Sequence, residues 1–270
     1  MKKYIYYHIY LPEDTGSWYY LFLDQILTIM NSGLYDEIEK MYVVCIGSRE
    51  QIEMFHGICG TFKKVEILDN YLKEDSEEDL SLQRTSRVDY QKSDILDEVQ
   101  TLKRLEEHAH REDAYFLYLH SKAITSPWRM RQEKIYQPFI NTYLWRKFLE
   151  WGCVEHWKLC TDNLETHDCA GVNFNSWPAP HYSGNFWWSK SSYIRKLPPI
   201  TNDDWWNNMR ATTPLNTFDS HRNKPEFWIN YGFDDNFYNI LTSPAREKPP
   251  ASTLTWMFYP RSEYENQVKK

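Results

Sequence analysis

The sequence predicts an α/β protein built on an open, mostly parallel sheet flanked by helices. Short apolar runs such as MYVVCI (41–46) and AYFLYL (114–119) alternate with longer amphipathic segments through the first 120 residues. That alternation is the order a parallel sheet requires, because each parallel strand needs a crossover. The runs are apolar on both faces, as strands covered on both sides are. At 270 residues, 41% hydrophobic and 26% charged, the chain is long enough for one sizeable core.

Lys3–Tyr10 reads as the first strand; with His8 inside it, it is too short and polar for a signal peptide. Leu11–Ser17 is a loop carrying Pro12 and Gly16. Trp18–Asn31 places Leu21, Ile26, Leu27 and Met30 at helical spacing, and Gly33 ends it. Met41–Ile46 is the second strand, Arg49–Cys59 a helix and Lys64–Leu68 the third strand. Asp69–Lys92, polar and acidic over Glu74–Asp79, reads as an excursion over the carboxyl edge of the sheet. In the helix Ser93–Arg111, Ser93 is placed to cap, Asp94 and Asp97 favour its start, and Arg104 and Arg111 lie toward its end.

Tyr115–Leu119 is the fourth strand. Gln132–Cys160 reads as mostly helical, with Pro138 early and Gly152 as an interruption. Asp168–Asn173 is a further strand, Trp177–Pro180 a turn and Pro225–Asn239 a helix. The tail beyond Ser243 holds four of the 13 prolines and is expected to wrap the surface. Repeats, linkers and low-complexity segments are absent, so residues 1–270 are expected to form one domain.

Composition narrows the function classes. A formal net charge of −7 and a pI near 5.7 argue against a general nucleic-acid binder, which needs a basic surface. The five cysteines are odd in number and include no CxxC pair or zinc spacing, which points to a reducing compartment, the cytoplasm. Cys45 and Cys169 lie in apolar runs and are expected as buried thiols. No apolar run approaches the roughly 18 residues of a membrane span. Aromatic residues make up 17%, with 12 Trp, 20 Tyr and 13 Phe. Such faces suit sugars, and they also fill cores.

Three segments carry chemistry. The fourth strand runs into His120, Ser121 and Lys122, at the strand end where open α/β sheets bind ligands. Two cation-capable side chains and a hydroxyl there suit an anion, most plausibly a nucleotide diphosphate; the alternative is a strand that ends in a solvated lysine. In His181–Trp188, Ser183, Gly184 and Asn185 precede an aromatic run. Gly184 would let backbone pass close to a ligand, and Asn185 offers donor and acceptor groups for sugar hydroxyls. If the run is a strand, Trp187 and Trp188 face opposite sides, and a hairpin with core tryptophans is the alternative. In 222–229, Pro225 suits a first helical turn and places Glu226 at a helix start. Glu226 is then a candidate general base for a sugar hydroxyl, or an ordinary helix-start acid.

Walker, GxGxxG, GxSxG and HExxH motifs are absent. The carboxylate pairs Asp203-Asp204 and Asp234-Asp235 lack the Asp-x-Asp form that presents two side chains on one strand face to a divalent ion.

The strand–helix–strand order, YLHSK at a strand end, HYSGNFWWSKSSYIRKLP and the R-x-x-x-E-x-W-I segment together resemble a family of nucleotide-sugar glycosyltransferases found in large algal (chlorella) viruses and microbial polysaccharide loci. The likeness covers roughly Glu98 to Ile229, and SGNFWW is its most specific part. It implies the GT-A fold, a Rossmann-like α/β domain. Residues 1–125 would then be the nucleotide-binding half, 126–243 the acceptor-side half and 244–270 a C-terminal tail. It implies a nucleotide-sugar donor held by His8, Tyr10, Thr15, Glu98, Thr101, His120, Ser121 and Lys122. The sugar and the glycan acceptor would meet His181, Ser183, Gly184, Asn185, Trp187, Trp188 and Arg222, with Glu226 as the catalytic base of an inverting transfer. A viral member would work in the host cytoplasm.

The sequence departs from the family at two points. Ala123 replaces the glycine of H-[ST]-K-G, and the Asp-x-Asp motif that binds Mn or Mg is missing, so metal dependence stays open and a Lys or His is the expected counter-charge to the leaving diphosphate. A non-catalytic carbohydrate-binding protein is the alternative class. A nucleotidyltransferase is weaker, because Tyr4–Gly16 is not a glycine-rich loop.

Overall fold

The computed structural model describes residues 1–12, 17–72, 98–122, 137–214, 223–231, 236–242 and 259–267. Strands β1 (Lys2–Leu11), β2 (Lys40–Gly47), β3 (Val65–Leu72) and β4 (Ala114–His120) run parallel. Between them lie helices α1 (Ser17–Asn31), α2 (Leu34–Glu37), α3 (Arg49–Cys59) and α4 (Val99–Arg111). Helix α5 (Gln137–Glu150) passes through a π-helical turn, Trp151–Glu155, into α6 (Trp157–Asn163). There follow β5 (Cys169–Gly171), a ribbon of β6 (Phe174–Asn175) and β7 (His181–Tyr182), β8 (Trp187–Lys190) and α7 (Ser191–Ile194). Helices α8 (Asp204–Thr212) and α9 (Lys224–Trp228), strand β9 (Phe237–Asn239) and α10 (Arg261–Tyr264) complete the described elements.

The main sheet has the order β3-β2-β1-β4-β8-β5-β9, and only β8 runs against its neighbours. The fold is therefore α/β with a mostly parallel sheet flanked by helices, as expected. β1 has β2 and β3 on one side and β4 on the other. Sheet growth reverses between β1 and β4, so the crevice beyond their carboxyl ends is the place where open α/β sheets take ligands.

Side-chain alternation divides the core into two layers. Ile5, Tyr7, Ile9, Val43, Leu117 and Leu119 face the layer that includes α1 and α3. Tyr4, Tyr6, Phe116 and Tyr118 face Leu102, Leu105 and Ala109 of α4. All five cysteines are buried and unpaired, and burial pushes the Cys45 thiol up to about 12. Among the described residues, no helix is long and apolar enough to cross a membrane.

Two elements differ from the sequence expectation. Asp69–Leu72 extends β3, pairing with β2 beyond a register irregularity at Val43/Val44. The polar residues are accommodated because β3 is an edge strand: Arg104 binds Asp69 through two nitrogens (2.5 and 3.0 Å), and Asn70 Oδ1 accepts from Cys45 Sγ (3.0 Å). The proposed helix Pro225–Asn239 stops at Trp228, and Phe237–Asn239 is an edge strand beside β5. Ser93, the acidic stretch 74–79 and Ala123 lie outside the described residues.

Helix α5 is fixed to α1 by a partly buried charge network. Asp24 and the buried Glu150 share Arg146 (2.8 and 2.7 Å) and Lys147 (2.9 and 2.8 Å). The π-helical turn then brings Gly152 against Val172. A Cβ on Gly152 would overlap Val172 Cγ1 and lie 2.9 Å from Cγ2. Val172 is fully buried and has no room to withdraw. Gly152→Ala is expected to destabilise the protein by about 1–3 kcal/mol, read as a lower urea midpoint at unchanged m-value. An unchanged midpoint would show that this contact imposes no constraint.

Candidate functional site

The strand alternation that places Tyr6 and Tyr118 opposite one another places His8 and His120 opposite one another two residues later, on the α4 face. α4 begins over this pair. Thr101 Oγ1 lies 2.9 Å from His8 Nδ1, and Glu98 Oε1 lies 3.7 Å from His120 Nδ1. The other carboxylate oxygen, Glu98 Oε2, accepts from the Tyr118 hydroxyl (2.8 Å) and from Asn185 Nδ2 (2.7 Å). Ser121 closes the strand ends: its N–H donates to His8 O (2.9 Å) and its Oγ accepts from Tyr10 N–H (3.1 Å).

The second half of the site is the turn between β7 and β8. Gly184 has φ +98°, a left-handed conformation that only glycine adopts freely. A Cβ there would meet Leu149 Cδ1 at 2.5 Å and Trp145 Cζ2 at 3.1 Å, so α5 packs directly on the turn. Asn185 also has positive φ (56°), which Asn tolerates better than most residues. Its amide is oriented from both ends: Oδ1 accepts from Trp187 Nε1 (2.8 Å) while Nδ2 donates to Glu98. Gly184 links the two halves. Its carbonyl oxygen lies 3.0 Å from His120 Nε2, and its N–H donates to Glu226 Oε1 (2.6 Å). A carbonyl only accepts, so His120 carries its hydrogen on Nε2.

Burial opposes ionisation of Glu98, but His120, His8, Lys122 and the Tyr118 hydrogen bond outweigh it and hold the carboxyl down at about 2. Burial lowers His8 to about 4 against the pull of Glu98. His120 is lowered too, by burial first and by Lys122, with Glu98 and the Gly184 carbonyl opposing. At neutral pH both imidazoles are therefore neutral and Glu98 is ionised. His8 becomes a cation only near pH 4, where its charge joins that of Lys122 in depressing Glu98. Lys122 Nζ sits 4.0 Å from the Trp145 ring centroid, a cation–π distance.

Eleven of the expected residues thus form one connected neighbourhood: His8, Tyr10, Glu98, Thr101, His120, Ser121, Lys122, Gly184, Asn185, Trp187 and Glu226. Several of them occupy supporting positions. Trp187 and Trp188 are fully buried in opposite core layers, so the expectation that they wall a sugar site is corrected: Trp187 orients Asn185, and Trp188 Nε1 donates to Cys153 O (2.7 Å). His181 and Ser183 are also buried. His181 Nδ1 donates to Ala179 O (2.7 Å), which leaves Nε2 to accept from Ser183 Oγ (2.7 Å). His8, Thr101 and Ser121 are buried scaffold as well. Thr15, Arg222, Asp219, Asp234 and Asp235 lie outside the described residues.

The sequence reading missed Tyr118, Trp145 and Leu149. Tyr118 was accessible in principle, because two residues before His120 in a strand is the same face. Trp145 and Leu149 reach the site only through the docking of α5, for which the sequence has no local signal. Among the described residues, no group of three or more His, Cys, Asp or Glu is arranged to hold a metal ion. Of the pair Asp203-Asp204, Asp203 is bound to Lys224 Nζ (2.6 Å).

The model of a domain of unknown function, DUF8361, matches residues 6–233, a span that runs from β1 through α9 and contains every site residue above. The chain belongs to that family. No curated protein matches it.

The site makes stability pH-dependent. His8 titrates near 6.5 when unfolded and at about 4 when folded, so its contribution is complete above pH 6.5 and is lost as pH falls toward 4. Glu98, at about 2 against 4.5, adds a second loss from pH 4.5 downward. Between pH 7 and 4.5, His8→Asn is expected to lose less stability than the parent, by on the order of 2–3 kcal/mol. Urea midpoints at the two pH values measure this; equal losses would show that His8 takes up its proton freely in the folded state.

Proposed function

We propose that this member of the DUF8361 family is a glycosyltransferase that moves a sugar from a nucleoside-diphosphate donor to a hydroxyl of a glycan acceptor, with inversion. The observation that carries the reading is the tether of Glu226 to the β7–β8 turn. The carboxylate and the His120 end of β4 bind the two sides of one residue, Gly184. A candidate base is thereby held beside a strand end that carries a lysine, in the crevice where such sheets take ligands.

In this reading the donor diphosphate lies toward Lys122. The acceptor oxygen attacks the anomeric carbon as the bond from that carbon to the phosphate oxygen breaks, and its proton passes to Glu226. The electron pair of the broken bond leaves with the diphosphate. Charge on the leaving group grows in the transition state, where a fixed cation contributes most. Lys122, two residues beyond β4 and over the Trp145 face, is that cation in this reading. The Gly184 N–H fixes the position of Glu226 Oε1. The expected acceptor-side tryptophans are buried, so a non-catalytic carbohydrate-binding module has no stacking platform at Trp187 or Trp188.

Glu226→Gln keeps an oxygen to accept from Gly184 but removes the base. It should lower transfer about 10²–10⁴-fold with donor affinity intact. Near-normal turnover, or a product of retained configuration, would end the assignment. Lys122→Ala should weaken nucleoside-diphosphate binding by about tenfold or more, since charge-assisted contacts contribute roughly 1.5–3 kcal/mol. Titration calorimetry reads it, and unchanged affinity would move the diphosphate away from β4.

A further inference from the structure

His120 and Glu98 face each other through two acceptors. The Nε2 hydrogen of His120 is committed to Gly184 O, so in the neutral ring Nδ1 presents a lone pair. Opposite it, 3.7 Å away, is Glu98 Oε1, while Oε2 is already occupied by Tyr118 and Asn185. The separation is too long for a hydrogen bond between them. The two side chains are only 12% and 24% exposed. Both atoms therefore face the crevice as acceptors, and two acceptors side by side call for two hydrogens, from water or from a ligand.

We infer that the gap between His120 Nδ1 and Glu98 Oε1 is a subsite that reads a vicinal diol, one hydroxyl donating to each acceptor. The inference rests on the nucleotide-sugar reading, because both the ribose and the transferred sugar of such a donor carry vicinal hydroxyls. An ammonium group could also supply two hydrogens, but Lys122 acts on both His120 and Glu98 and its charge opposes a second cation there. The subsite is pre-organised from behind. Glu98 is fixed by two donors and His120 by Gly184, so the diol meets acceptors that need no reorientation.

Glu98→Gln tests the geometry. The glutamine oxygen replaces Oε2, and its NH₂ takes the place of Oε1, which turns one of the two acceptors into a donor. The full chain and this variant would be titrated with UDP, GDP, CDP and ADP, each beside its 2′-deoxy form, and with UDP-glucose and GDP-mannose, each beside the donor deoxygenated at sugar C3. We expect one deoxygenation to cost the parent at least about tenfold in affinity, and the variant to lose that discrimination. Loss with the 2′-deoxy nucleotides assigns the diol to the ribose; loss with the 3-deoxy donors assigns it to the sugar.

Equal binding of oxygenated and deoxygenated ligands in the parent overturns the inference and leaves the transferase reading standing. If no nucleotide or nucleotide sugar binds the parent, the transferase reading falls and the diol with it. A second arm needs no ligand. The ¹⁵N spectrum of His120 near neutral pH should show a neutral ring with its hydrogen on Nε2. A hydrogen on Nδ1 would leave one acceptor where the diol needs two and overturn the inference.

Discussion

The carboxylate of Glu98 is the constraint on which the site depends. A charge in so enclosed a place persists only with donors and opposing charge around it. Its partners come from separate parts of the fold: Tyr118 from the middle of β4, Asn185 from the β7–β8 turn, and the charge of Lys122 from just beyond β4. Meeting that one requirement draws the start of α4, the sheet edge and the turn into register. The chain of bonds runs onward, since Asn185 is oriented from its other end by Trp187, whose ring lies in the core. Core packing thereby sets the direction of a buried polar group behind the crevice.

Of the two uses that composition left open for the aromatic residues, core filling is the one most of the described large rings take. Their polar edges fasten that core to neighbouring backbone. Trp157 Nε1 donates to Ser32 O, Trp188 to Cys153 O, Trp205 to Pro199 O and Trp228 to Pro198 O. Ser32, Pro198 and Pro199 lie outside the regular elements and Cys153 in the π-helical turn, and an unmet buried carbonyl would cost about 1–3 kcal/mol. Indole suits this role because it buries a large apolar face and still carries one donor.

This explains which parts of the fold were legible in the sequence. β1, β2, β4 and α3 were readable because their apolar pattern is dictated by burial on the sheet faces. Asp69–Leu72 was misread because an edge strand tolerates polar residues that side chains such as Arg104 satisfy, and 229–239 because aromatic and polar residues there fit either a helix or an edge strand. Within the site, His120, Lys122, Gly184 and Asn185 stood out through residue type and position. Their division into crevice-facing groups and scaffold did not: Asn185, two residues before Trp187, is buried as Trp187 is, and only tertiary packing decides it. The contribution of Trp145 and Leu149 depends on how α5 docks, which the Asp24–Arg146–Lys147–Glu150 network fixes.

The same logic separates Glu226 from an ordinary acid at a helix start. α9 has only five residues, too short for its dipole to position a carboxylate. The other four residues of α9 are buried: Pro225, Phe227 and Trp228 pack inward, and Lys224 binds Asp203. Glu226 is the one member of the helix that is not, and its oxygen is held by a backbone N–H of the turn rather than by its own helix. An acid that only decorated a helix start would bond to its own first-turn amides or to water. The Gly184 bond gives Glu226 a fixed place relative to His120 and Asn185. It also couples the turn to the carboxylate, so any ligand that shifts Gly184 shifts both the candidate base and the hydrogen-bond partner of His120. The left-handed conformation of Gly184 and the close packing of Trp145 and Leu149 against it leave that turn little freedom to move, which is the rigidity that the proposed function asks of Glu226.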